Sequence, residues 1–213
     1  MVAVISTGCA FRPPLLPAVP TTGTTVVVDS EIQLAPGLLI ATPQLADPNF
    51  HRSVVLMVEH QGEGAFGLVI NRPTETPLAE LLNSIEIGWS GSPAEPSWIG
   101  GPVQPETGWI LHERVDGLDE SLTREISPGL YLSSARDALE HLAATPPKQI
   151  RFLLGYSGWG PAQLESELSE GSWVNGNVDP GLIFETPAST LWEEAVRAIG
   201  VDPNALAPAS GIH

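Results

Sequence analysis

The chain has 213 residues, twenty-five acidic against nine basic, for a formal net charge of −16. Sequence-specific DNA binders commonly neutralise about 6–10 phosphates, so this chain would need nearly all its cations on one face, and direct nucleic-acid binding is not expected. Cys9 is its one cysteine, which excludes an internal disulfide and a cysteine-based zinc site.

A hydrophobic fraction of 42% supports a globular core, and a domain of ~150–180 residues is stable without a covalent or metal staple. No cofactor and no metal is expected. No apolar run approaches the ~18–20 residues of a membrane span. The apolar stretch Met1–Ile5 before Cys9 is too short for a signal core and has no Lys or Arg ahead of it. The chain therefore reads as cytoplasmic, without membrane association.

Residues 1–30 are rich in Pro, Thr, Val and Ala, with Pro13, Pro14, Pro17 and Pro20 closely spaced. They lack helical or sustained strand periodicity and read as a flexible leader. Residues 31–206 form the expected domain, and 207–213 a tail.

The domain opens with a short buried strand, Leu38 to Thr42, stopped by Pro43. Asp47-Pro48-Asn49 is turn chemistry. The apolar run Ser53 to Val58, the turn Gln61-Gly62-Glu63-Gly64 and the return Phe66 to Asn71 predict a hairpin. Thr76-Pro77 reads as an N-cap and first helical residue, with Leu78, Leu81 and Leu82 on one helix face. Residues 83–98 are loop-rich. Gly100-Gly101-Pro102 is a sharp turn, Trp109 to His112 a short strand, and Leu130 to Leu132 another. Ser134 and Asp137 make a capping-box pattern ahead of Ala138, Leu139, Leu142 and Ala143.

Ile150 to Leu154 is a further buried strand, followed by a predicted loop, Gly155 to Pro161. A short helix turns Leu164 and Leu168 inward and Gln163, Glu165 and Glu167 outward. Leu182 to Phe184 is read as a strand. In the last helix Thr190 and Glu193 suggest a capping box, Leu191, Trp192, Ala195, Val196 and Ile199 form one stripe, and Gly200 ends it. Strands with hairpin connections and interspersed short helices define an α+β protein rather than a regular βαβ alternation.

Three motifs invite a function. Gly62 to Gly67 has the dinucleotide-binding G-x-G-x-x-G spacing. That chemistry needs a helix start after the last glycine to hold the pyrophosphate, whereas Leu68-Val69-Ile70 is a strand. Gly155-Tyr156-Ser157-Gly158-Trp159 resembles a nucleophile elbow, but Trp159 stands where the motif needs a small residue. Neither motif qualifies.

The third is a polar set at the mouths of apolar strands: Glu59, His60, Asn71, Arg72 and His112. Converging, they would make a ligand site or a hydrolase-like centre. Alternation puts Glu59 and His60 on opposite faces, so one shared site would need a bulge. The plainer expectation is that they cap strand ends, with Glu59 paired to Arg72. A second candidate contact set lies at the predicted loop: Tyr156 and Trp159, assisted by Gln163 and Glu165. A large aromatic between loop glycines is more often a contact than a packing residue, so Trp159 is expected to be exposed.

These segments resemble the YqgE/AlgH family. The matching stretches are Leu39 to Pro43 with Asp47 to Phe50, Arg52-Ser53-Val54 leading to Glu59-His60, and Gly64 to Pro73. Then follow Gly100 to Val103, Leu111-His112, Gly155 to Trp159, Gln163-Leu164-Glu165 and Trp173, in order over about 170 residues. The chain departs at Ala162, where the family often has glycine, and at Ser157, where it often has alanine. The resemblance implies a bifurcated β-sheet closing into a pseudo-barrel with short helices around it. It implies no catalytic set; some members carry the label of transcriptional regulator. Acidity, unqualified enzyme motifs and resemblance together point to a non-catalytic cytosolic regulatory protein acting through a protein partner. The alternative is a small-ligand binder or hydrolase-like enzyme using the strand-end set.

Overall fold

A computed structural model describes residues 33–206; the expected leader, 1–30, and tail, 207–213, lie outside them. The predicted hairpin is its central feature. Strands β2 (Val54–Gln61) and β3 (Gly64–Val69) pair antiparallel from Val55↔Val69 to Gln61↔Gly64, with a register shift between Met57 and Glu59. The near-continuous apolar run of β2 reflects burial on both faces. One neighbour, β1 (Gly37–Ala41), pairs with β2 and, on its other edge, with β10 (Trp173–Gly176).

The chain then builds the second arm. Strand β4 (Pro73–Pro77) leads into helix α1 (Leu78–Asn83) and pairs with β5 (Pro96–Ile99). Strand β6 (Val103–His112) follows, then β7 (Thr123–Ser127), β8 (Leu130–Ser133) and helix α2 (Arg136–Ala144). Strand β9 (Ile150–Trp159), helix α3 (Gln163–Ser169), β10, and helices α4 (Pro180–Glu185) and α5 (Ala188–Ala198) complete the order.

Strand β9 is where the sheet forks. Its first half lies antiparallel to β6 through Ile150↔His112 to Leu154↔Gly108, and parallel to β5 at Leu153 and Leu154. Its second half pairs instead with β3, from Ser157↔Gly67 to Trp159↔Ala65. The path β10-β1-β2-β3-β9-β6-β8-β7 thus carries β5 and β4 as a branch, and the sheet curls into a half-barrel with short helices packed around it. The expected α+β class and bifurcated sheet hold.

Glycines permit the fork. Gly155 has φ +70, and a Cβ there would run into the Gly101 carbonyl; a Cβ on Gly101 would meet the backbone of Tyr156. Only residues without a Cβ let the two backbones approach this closely. The same glycines make residues 155–159 look like a loop in the sequence, so that reading is corrected: β9 continues unbroken to Trp159.

Alternate residues of the β1–β2–β3 arm feed two cores. Leu38, Ile40, Leu56 and Leu68 pack toward Leu191, Trp192, Ala195 and Val196 of α5. Leu39, Ala41, Val55 and Met57 pack with Trp159, Trp173 and Leu164 of α3. A third cluster joins Leu78, Leu82, Leu142 and Ala143 of α1 and α2 to Ile110, Ile150 and Phe152.

Further readings change. Leu182 to Phe184 is helical: Asp179 caps α4 by accepting from the Gly181 N–H, and Pro180 at the first position suits a helix start. Thr76 belongs to β4, and Pro77 is the N-cap of α1. Ala135 rather than Ser134 precedes α2, and Pro187 rather than Thr190 precedes α5, neither with a side-chain cap. β6 begins at Val103, and β5, β7 and β10 are strands that short, mixed-polarity sequences did not signal.

Candidate functional site

The strand-end residues do not converge. Met57 and Glu59 flank the register shift, yet Glu59 and His60 still turn to separate partners. Glu59 accepts from Arg124 of β7 at 2.5 Å, and His60 Nε2 meets Glu165 of α3 at 2.9 Å. A backbone hydrogen bond at Glu165 itself holds its carboxyl below the usual range, opposed by burial and assisted by the His60 contact.

Asn71 works on the backbone. Its Oδ1 accepts from the Val54 N–H at 3.0 Å and its Nδ2 donates to the Arg52 carbonyl at 2.9 Å. It thereby extends the β2–β3 ladder past the point where Arg52, at φ 52, turns the chain. Arg72 donates to the His51 carbonyl at 3.0 Å rather than pairing with Glu59, which corrects the expected ion pair. Burial lowers the Arg72 pKa, opposed by Asp47.

His112 is buried at the β6–β8 ladder. A carbonyl oxygen only accepts, so the 2.7 Å contact with the Glu113 carbonyl places the proton on Nδ1. Nε2 then accepts from Ser133 Oγ at 3.0 Å and Thr123 Oγ1 at 3.3 Å. Burial pushes the His112 pKa down, which keeps the ring neutral and suited to this bonding. Ser133 is 2% exposed, so the histidine–hydroxyl pair is sealed inside the structure.

The second set is also engaged internally. Trp159 is 6% exposed, which corrects its expected exposure. Its indole N–H donates to Glu167 Oε2 at 3.0 Å, and the Trp173 indole donates to the same oxygen at 2.7 Å. Gln163 completes the clamp by donating to Glu167 Oε1 at 2.9 Å. Tyr156 lies among Phe66 and Trp109, with ring centroids 5.1 and 6.4 Å away. Glu167, expected to project outward from α3, is instead drawn back onto the sheet by two buried indoles.

The sequence reading passed over Arg151, the one charged residue in the apolar run Ile150 to Leu154. That anomaly was the available signal. Arg151 is 4% exposed, donates to the Ile70 carbonyl, and lies over the Trp98 ring at 4.1 Å with Phe184 at 6.0 Å. Burial draws its pKa down to about 10, partly opposed by Glu95. Glu95 is itself raised by burial, partly opposed by Arg151. These groups line a cleft of about 330 Å³ between β5, β9 and the α4–α5 junction. Among the described residues, no group of three or more His, Cys, Asp or Glu side chains is placed to hold a metal ion.

A forked, curled sheet with short helices around it and separately bonded strand-end polar groups makes this an α+β half-barrel protein. The chain belongs to the AlgH-like family, whose model matches residues 38–204. A UPF0301 protein of Myxococcus xanthus is 45% identical over 181 residues, covering 84% of this chain and 98% of that protein. One from Anaeromyxobacter dehalogenans is 42% identical, covering 82% and 92%. The solution structure of the AlgH protein from Pseudomonas aeruginosa aligns with TM-score 0.67 and 35% identity over 88% of this chain and all of that one. A crystal structure of a Corynebacterium diphtheriae protein shares the fold at TM-score 0.62 and 24% identity, over 76% and 86% of the chains.

Proposed function

We propose that the protein is a non-catalytic regulatory protein that acts by binding a protein partner with a basic surface. The observation that carries this reading is the use of the polar strand-end residues. Glu59, His60, Asn71, Arg72 and His112 each bond to a different internal partner, so they stabilise the fold in five places.

Charge supports the chemistry of the partner. Arg52, Arg124, Arg136 and Arg197 are each paired to a glutamate. Arg72 is held on a backbone carbonyl and Arg151 is buried. Six of the eight cations among the described residues are thus engaged internally, while the chain's formal charge is −16. Such a field attracts a basic partner and repels nucleic acid.

Carboxyl-to-amine coupling in an extract of the source cells tests this reading. Lys148 is the chain's one lysine, so most such links report a second protein. Expected are links from the exposed glutamates of α3 and α5 to lysines of a partner, diminishing as salt is raised. Coupling confined to the chain itself would count against the proposal.

A further inference from the structure

We propose that the cleft between Arg151 and Glu95 binds a small zwitterion, a carboxylate and an ammonium on one compact molecule, of which a free amino acid is the simplest. This site is independent of the partner-binding reading and shares none of the strand-end residues. Its volume, about 330 Å³, lies at the lower end of the ~300–1,000 Å³ of small-molecule sites.

The buried guanidinium has unspent bonding capacity. A guanidinium carries five N–H donors, and Arg151 has one hydrogen-bond acceptor among the described residues, the Ile70 carbonyl. Trp98, 7% exposed, forms part of the cleft wall beside Arg151. A carboxylate is the group that a planar, stacked guanidinium binds best, through two parallel hydrogen bonds. The ring faces of Trp98 and Phe184 hold that guanidinium in place beforehand.

Two further features of the lining favour negative charge. Lys148 lies in the lining, and so does Ala188, the first residue of α5. That eleven-residue helix starts without a side-chain cap, so its first turn brings a partial positive charge to the lining.

Glu95 decides between an anion and a zwitterion. It lines the same cleft as Arg151, and no ion pair joins the two among the described residues. Glu185 stands in the same lining. A simple anion would meet these two carboxylates without compensation, and a simple cation would meet Arg151. A molecule that carries both charges satisfies each side and fits between them.

Calorimetric titration of the full chain with glycine, alanine and serine tests the proposal, with acetate, ethylammonium and inorganic phosphate as separate arms. At least one amino acid should bind in the millimolar range or tighter, and the singly charged probes at least about tenfold more weakly, one lost charged contact's worth. Glu95→Gln and Ala188→Asp should each weaken the amino acid about tenfold or more while their thermal unfolding stays cooperative; aspartate suits a first helical turn, so the second variant folds. Absence of binding by every amino acid overturns the proposal. So does phosphate or acetate binding as tightly as the amino acid, with Glu95→Gln without effect, since that describes an anion site.

Discussion

Trp159 shows how a single residue can be misread and why. Flanking glycines made it look like an exposed contact, but its indole is stacked near Phe50, edge-on to Trp173, and bonded to Glu167. Trp159→Ala should destabilise the protein by ~3–5 kcal/mol, the usual cost of truncating a buried tryptophan, and chemical denaturation beside the wild type measures it. His112 gives a pH signature. Its folded pKa lies below the ordinary 6.5, so the unfolded chain binds the extra proton first as pH falls. Stability should hold above that ordinary value and decline as pH drops below it toward the lowered folded value. Urea unfolding of His112→Gln across the same range should lack this component of the slope. At this scale the sequence disclosed which residues were polar at strand ends. It could not disclose their partners, because Glu59–Arg124 and His60–Glu165 span 65 and 105 residues of chain.

Among the elements, the β2–β3 hairpin was legible because a long apolar run, a glycine turn and a second apolar run are adjacent in sequence. Helices α2, α3 and α5 were legible from their inward leucines, although Ala135 and Pro187 took over the positions expected of Ser134 and Thr190. Strand β9 was half legible. Its first five residues are apolar except for Arg151, and its second half is glycine-rich for a tertiary reason, the crossing with Gly101. Gly155→Ala therefore should cost about 1–3 kcal/mol through its left-handed backbone alone, with the Gly101 clash added. Gly158→Ala, at a backbone without positive φ and with its Cβ 3.3 Å from one ring atom of Tyr156, should cost much less. Equilibrium unfolding of the two variants in parallel checks the contrast. Equal losses would mean that the fork does not depend on this close approach.

For the whole molecule, the α+β class and acidic character follow from local patterns and a count of charges. The fork itself follows from β9 changing partner midway, which no local pattern encodes. The Arg151 cleft joins β5, β9 and α5; the lone arginine in an apolar run marks the residue, but no local pattern marks the cleft. No helix among the described residues is long and apolar enough to cross a membrane. The purified protein should give no salt-sensitive mobility shift with duplex DNA in the sub-micromolar range, given the few free cations and the phosphates that a binder must neutralise. The most direct measurement is hydrodynamic size by gel filtration, with the endogenous protein in a source-cell extract run beside the pure chain of 22.5 kDa. The extract's protein should elute larger than the pure protein at physiological salt and return to its size as salt rises. Coincident elution of the two at every salt concentration would contradict the partner-binding reading.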